Sequence, residues 1–481
     1  MKRYLALLLA VLLLFVTACQ AVPPSGGDDV PADPPGNEEN TGNEGNTGNE
    51  GNTGNEGSTG NEGNTGNEGN TGNEGNTDNE GNTGNEGSTG NQGNTGNEGN
   101  TGNQGNTGNE GSTGNQGSQS GGYRPTKPTA SPNPVTIRLT GVGDNLLHDS
   151  VSYSAQQADG SYDYSGLYAA VADVFRGSDI AFINQEVMLT GQVSAYPSIA
   201  AKAECADALK ALGFNVINLA TNHALDKGVS GLETCLQNVH DRNFDAVLGA
   251  FRSEDESKQQ IILEKQGIRF GFLSYTYNIN GSGLPAGKKW MVAKIDENKI
   301  RAEVTALRKE CDYLIVSMHW GTEYQDKQSK TQEKQAKLLA ELGVDLVIGS
   351  HPHVLQPAKW YDRPDGGKMY CTYSLGNFIS NQRKWATMLG GILDITLEFD
   401  ANNGALIAVK DVGIIPTVTH YNYLTTDGGI TRGHQVILLE DYTEDLATAH
   451  GIKNWAGELT LSWLKKHANA VLGEHQRTWQ K

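Results

Sequence analysis

The chain has 481 residues and a formal charge of −19, but residues 21–122 hold no Lys or Arg, 16 of the 56 acidic residues and about half of the 61 glycines. A stretch so polar cannot bury a core, so the length overstates the folded part. Residues 123–481 carry 40 acidic against 35 basic residues and no basic run, which excludes a protein held to nucleic acid by phosphate contacts.

Lys2 and Arg3 precede the apolar run Tyr4–Val16, which is too short for a permanent membrane span and has the form of an export signal. Val16-Thr17-Ala18-Cys19 then resembles the lipobox of bacterial lipoproteins, in which Cys19 becomes the lipid-modified first residue of the mature chain. The alternative is an ordinary secretory signal with an incidental Cys. Lipidation would anchor the protein to the cell membrane on its extracytoplasmic face. Residues 20–122 form a low-complexity linker, dominated from about Thr41 to Gly117 by the hexapeptide Thr-Gly-Asn-Glu-Gly-Asn and its Ser, Gln and Asp variants. No Pro lies between Pro35 and Pro125, which argues against collagen, and no aliphatic side chain is present to fill a β-helix. As a disordered Gly-rich coil it would reach roughly 50 Å and lift the domain off the membrane.

Residues 123–481 read as one α/β domain, with a motif core over 135–380 and a completing tail over 381–481. Strands are expected at Thr136–Gly141, Ile180–Asn184, Val216–Ala220, Val247–Gly249, Ile268–Tyr275, Tyr313–Met318, Leu346–Gly349 and Tyr370–Tyr373. Helices are expected at Gly166–Phe175, Ala203–Leu212, Gly228–Arg242, Lys299–Lys309 and Lys330–Leu342. In the tail, Gly391–Phe399, Leu406–Val412 and Gln435–Glu440 have the pattern of antiparallel strands, and Trp455–Val471 that of a closing helix.

Polar residues collect just after those strands. Asp144 and His148 follow the first; Asn184 and Glu186 end the second; Asn222, His223 and Asp226 follow the third; His319 and Glu323 follow Val-Ser-Met; His351 and His353 follow Val-Ile-Gly-Ser. In α/β folds the loops at the carboxyl ends of the strands share one edge, so these residues can converge there. Imidazole mixed with oxygen donors suits a borderline cation such as Mn, Fe or Zn, and the number of donors suits two ions. Singly, each motif has a plainer reading: Asn222 and Asp226 as a helix start, His-Pro-His as a hydrogen-bonded turn, His148 as a capping residue.

The order Gly-Asp, Asn-x-Glu, Thr-Asn-His-x-x-Asp-x-Gly, His-Trp-Gly-x-Glu, His-Pro-His-Val-Leu-Gln-Pro and Tyr-Ser-Leu-Gly-Asn-Phe resembles the bacterial capsule-synthesis CapA family, over about Val135 to Ser380. That family concerns poly-γ-glutamate and is similar to the calcineurin-like metallophosphoesterases. The resemblance implies a four-layer αββα sandwich with a dinuclear site at one edge. It implies Asp144 and His353 on one divalent ion, Asn222, His319 and His351 on the other, and Glu186 as the bridge. His223 would donate a proton to a leaving group and Asp226 would orient it, in metal-dependent hydrolysis of a phosphoryl or acyl centre. His148, Asn184, Glu323 and Asn377 are further candidates for ligands or site lining. The chain departs from the metallophosphoesterase pattern in placing His148 four residues past Asp144, where Asp-x-His is usual, and in carrying Glu186 where Asp is usual.

The implied partners are an anionic cell-envelope polymer, the membrane through Cys19, and other capsule-synthesis membrane proteins. Lys288, Lys289 and Trp290, in a Gly-rich loop, are candidates to meet a polyanion, or form a solvated turn. The competing function is a non-catalytic polymer-binding or export-accessory protein that keeps its metals for structure. No Gly-x-Ser-x-Gly elbow or Walker loop is present. Cys205, Cys235, Cys311 and Cys371 allow three full pairings, with Cys205 and Cys235 on helices flanking the third strand, or remain buried thiols.

Overall fold

The computed structural model describes residues 133–281, 283–424 and 430–479; the export signal, Cys19 and the hexapeptide linker lie outside them. Two mixed sheets form. In the first, the strands Pro134–Asn145, Ile180–Gln185, Val216–Asn218 and Ala246–Leu248 run parallel in that spatial order. Leu389–Asp400, Ala405–Leu424 and Ile430–Leu438 extend it antiparallel beyond Pro134–Asn145, and Asn377–Ile379 pairs with the same strand. The second sheet runs Ala358–Asp362, Lys368–Thr372, Leu346–Ser350, Tyr313–His319, Ile268–Thr276, Ile261–Lys265, with its middle strands parallel. Tyr313–His319 is buried at every position, as a strand between two parallel neighbours and two covered faces must be, so it reads as a near-continuous apolar run.

Leu139, Phe182 and Val216 of the first sheet belong to one apolar layer with Phe270, Ile315 and Ile348 of the second. Ile183 and Ile217 face the other way and pack with Leu209, Leu232 and Leu236 of the helices Glu204–Leu212 and Gly228–His240. Leu314, Val316 and Val347 pack with Val304 and Leu339 of the helices Glu297–Leu307 and Lys330–Glu341. The order helix, sheet, sheet, helix is the four-layer sandwich that the resemblance implied. Each fully buried Leu, Ile, Val or Phe contributes about 1.5–3 kcal/mol to holding those layers together. Local signals start the outer helices: Ser329 and Gln332 make a reciprocal capping box, and Asp296 accepts the Lys299 N–H.

The structure departs from the sequence expectation in four places. Gly166–Phe175 is two single turns, Ser165–Tyr168 and Ala172–Phe175, joined by a 3₁₀ turn; the backbone leaves α geometry at Tyr168, whose hydroxyl is tied to Asn145 Oδ1 at 2.8 Å. Trp455–Val471 is divided by Gly457, with φ of 83°, and restarts where Thr460 caps Leu461–Leu472. Leu406–Val412 continues through Gly413 and Pro416 to Leu424, because the Pro416 backbone faces Leu439, just past the end of the strand Ile430–Leu438: its carbonyl accepts the Leu439 N–H at 2.9 Å, and its missing N–H falls beyond the ladder. The short strands Met188–Thr190, Ala200–Lys202, Ile261–Lys265 and Ala358–Asp362 carry too little pattern to stand out from loops. All four described cysteines are free and buried, so Cys205 and Cys235 do not pair; burial pushes the Cys205 thiol up to about 12 and that of Cys235 to about 11.

Candidate metal centre

The polar ends of the parallel strands meet at one edge of the two sheets. Asp144 closes the first strand at a bulge after Val142, where the register shifts by one residue and re-aims the side chain. Gly143 makes this possible: a Cβ there would lie 2.0 Å from Gly376 O, and with none the Asp144 N–H reaches that carbonyl at 2.9 Å. His319 ends its strand beside Ser350, and His351 and His353 follow in a turn where both hold positive φ, 98° and 61°. Strained conformations in two non-glycine residues flanking one proline persist only where the surroundings enforce them, and such strain gathers at functional sites.

Asp144, Glu186, Asn222, His319, His351 and His353 are all buried, none more than 3 % exposed. His353 Nδ1 lies 3.0 Å from Asp144 Oδ2, and its Nε2 lies 3.7 Å from Glu186 Oε1. His319 Nε2 lies 2.8 Å from Asn222 Oδ1 and 3.9 Å from the same Glu186 Oε1. The donor atoms of Asp144, Glu186 and His319 fall within 4.8 Å of one another, as do those of Glu186, His351 and His353. Glu186 belongs to both sets, which is the position of a bridge. The sets do not follow the division implied by the resemblance, since Asp144 groups with His319 and His351 with His353; the donors form one continuous shell.

Whether this shell fits a cation is decided by its unsatisfied atoms. Neither oxygen of Glu186 and neither ring nitrogen of His351 has a hydrogen-bond partner among the described residues, although all four atoms are buried. Leaving such atoms dry costs about 1–3 kcal/mol each, and more for a charge. Burial, reinforced by neighbouring histidines, pushes His319 and His351 well below the ordinary histidine range, so both are neutral as ligands must be. Burial and the Asp144 carboxylate push Glu186 well above the usual carboxylate range. Burial pulls His353 down, yet Glu186, Asp144 and Glu323 raise it to about 10. The residues fit a divalent metal.

The remaining candidates sort by what they touch. Asn184 donates to Asp144 Oδ1 at 2.9 Å and accepts from Asn218 Nδ2 at 2.6 Å, so it orients Asp144. His223 Nδ1 lies 2.7 Å from Asp226 Oδ2, which also accepts the Ile199 N–H at 2.8 Å. Glu323 is 8 % exposed and acts electrostatically on Glu186 and His353. His148 accepts the Asn381 N–H and lies by His434. The Asn377 amide serves its own turn, donating to Ser380 Oγ, Gln382 Oε1 and Thr387 O. Sequence reading missed Asn218, Ser350 and Tyr277, whose ring packs 4.5 Å from that of His351. A buried Asn inside the apolar triplet Val216–Asn218 was the one available signal.

Residues 138–382, half of the chain and all six shell residues, match the model of the family described as bacterial capsule synthesis protein PGA_cap. The chain belongs to this family. Among relatives, it is 31 % identical over 250 residues to the PGA biosynthesis protein CapA of Bacillus subtilis, covering 50 % of this chain and 62 % of that protein. It is 30 % identical over 188 residues to the capsule biosynthesis protein CapA of Bacillus anthracis, covering 38 % and 44 %. The matched region thus spans less than two thirds of either relative. Among solved structures it is similar to the calcineurin-like phosphoesterase YfkN of Bacillus subtilis, with 13 % identity, a TM-score of 0.37, and coverage of 70 % of this chain and 99 % of that one. Membership of the PGA_cap family gives the protein a capsule-related role.

Proposed function

We propose that the protein is a dinuclear metal hydrolase acting on an anionic capsule polymer, of the γ-linked polyglutamate type, at the outer face of the membrane to which Cys19 anchors it. Glu186 carries this reading. Its carboxylate is buried, lacks a donor on either oxygen among the described residues, and stands between the imidazoles of His319 and His353. Asp144, Asn222, His319, His351 and His353 would hold the two ions, with Glu186 shared by both donor sets; the mixed imidazole and oxygen donors suit Mn, Fe or Zn. When bound, such a pair supplies an activated water and charge stabilisation at a phosphoryl or acyl centre.

The chain's own residues supply positioning and proton transfer. Asp226 accepts from Nδ1 of His223, which fixes the tautomer and leaves Nε2 as the atom that exchanges a proton with a leaving group. Asn184 and the His351 N–H, 3.2 Å from Asp144 Oδ1, hold that carboxylate in place. The lipid anchor and linker would keep the domain where nascent polymer leaves the cell, beside the membrane proteins that make it.

The test is metal content of the full-length protein in detergent, followed by turnover of phosphodiesters and γ-glutamyl oligomers. About two equivalents of a transition metal, with hydrolysis of one substrate class that His223→Ala abolishes, is the expected result. A folded protein that stays metal-free in excess Mn, Fe and Zn would refute the hydrolase and leave a polymer-handling accessory protein.

A further inference from the structure

A cleft of about 1110 Å³, separate from the metal centre, opens where the segment 251–260, the strand residue Leu273, the stretch 284–296 and the helix Glu297–Leu307 come together. Val292, Ala293 and Leu307 form a buried floor, and Phe251, Leu284 and Trp290 line it half-buried. Its rim holds four lysines and three acids. The acids are engaged within the protein: Glu254 with Lys258 at 3.4 Å, Glu303 with Lys299, and Asp296 as the cap that accepts the Lys299 N–H at 2.8 Å. Lys289 and Lys294 have no carboxylate partner among the described residues; Lys294 Nζ is aimed by Asn278 Oδ1 at 3.2 Å. In a domain with more acids than bases, four lysines against three carboxylates leave this rim net positive by one, with Lys289 and Lys294 as the two ammonium groups in no ion pair among the described residues, over an aromatic and aliphatic floor.

One stretch of chain connects the cleft to the metal shell. Leu284, Lys289, Trp290 and Lys294 line the cleft, while Tyr277 packs on the His351 ring and the Asn280 N–H donates to Asn222 O at 2.8 Å. A ligand in the cleft therefore rests on the segment that abuts two shell residues. We infer that this cleft binds a segment of polyanion whose carboxylates are separated by short aliphatic spacers, with Lys289 and Lys294 taking the carboxylates and Trp290 and its apolar neighbours the methylenes. This rests on the polymer reading proposed above and adds a holding site distinct from the metal centre. Its volume exceeds what a single acidic residue fills, since cavities of about 300–1,000 Å³ accommodate whole drug-sized ligands.

The probe is a γ-linked glutamate oligomer, titrated into the metal-loaded full-length protein in detergent and followed by calorimetry and tryptophan fluorescence. Lys289→Glu with Lys294→Glu should weaken binding at least about tenfold, and raising the salt should weaken it in the parent. Trp290→Phe should remove the fluorescence change. Lys465→Glu with Lys466→Glu, on the exposed face of a distant helix, should bind as the parent does. The metal-shell variant His351→Ala, His353→Ala should keep the oligomer while losing metal, which separates this site from the hydrolase reading. Unchanged binding in the double Lys289, Lys294 variant, loss of binding only in the metal-shell variant, or no binding at all to the loaded protein overturns the inference.

Discussion

His351 and His450 are both fully buried, but Nε2 of His450 donates to Thr419 O at 2.9 Å and Nδ1 accepts the Ile452 N–H at 3.0 Å, whereas neither ring nitrogen of His351 has a partner among the described residues. The same holds more widely. His434 is met at 2.7 Å by Ser154 Oγ and at 3.1 Å by Asn381 Oδ1, while Glu186, beside His353 and His319, has no donor on either oxygen among the described residues. Burial alone thus fails to mark a functional histidine. The His450 and His434 imidazoles close their bonds within the fold and support it, whereas His351 keeps both nitrogens free of hydrogen bonds among the described residues and so can ligate.

The largest effect that would break this contrast is on metal dependence. A chelator should lower the melting temperature of the parent, because a ligand present at 1,000 times its Kd adds about 4 kcal/mol that the metal-free protein lacks. The double variant His351→Ala, His353→Ala should show no chelator response, as read by differential scanning calorimetry and metal analysis together. Glu186→Gln sharpens the point: it keeps the size of the side chain but removes the carboxylate shared by the two donor sets, so it should gain no stability from added metal.

Next in size, His450→Ala should cost about 2–4 kcal/mol in denaturant unfolding while leaving metal content unchanged, because it strands the Thr419 carbonyl and the Ile452 N–H. A pH series tests the same cluster. Burial pushes His420 down to about 4 and His450 to about 3, so protonation favours the unfolded chain; stability is intact above about pH 6.5 and is lost as the pH falls towards those values. The two together should cost about 3 kcal/mol between pH 7.5 and 5.5, and His450→Ala should reduce the slope by about one proton. The smallest effect is expected from Asn184→Ala, which frees Asp144 without removing a ligand: metal affinity should fall about tenfold, measured by competition with a chromophoric chelator.

The positions of Asp144, His319, His351 and His353 were legible because apolar β-branched runs end abruptly in polar residues, and the parallel strands of an α/β domain deliver such ends to one edge. Glu186 and Asn222 were legible by the same rule. Less could be read where tertiary contact overrides local pattern: Tyr168, anchored to Asn145, breaks a helix that its periodicity supports, and the strand Ala405–Leu424 runs through Pro416 because the donor the proline lacks faces Leu439, past the end of the neighbouring strand. Roles could not be read either. Asn184 and Asn222 are the same residue type at successive strand ends, yet one orients Asp144 and the other meets His319 Nε2.

The sequence by itself determined the class of fold, the capsule-family motifs, the edge at which the site lies and the identity of its donors, because these depend on hydrophobic period and on which side chains can ligate. Only the tertiary structure decided which buried histidines keep an unsatisfied nitrogen, that Glu186 is shared by two donor sets, and that Lys289 and Trp290 line a cleft. Those facts depend on whether a partner from a remote part of the chain arrives within about 3 Å, a distance fixed by how layers pack and not by any local pattern of residues.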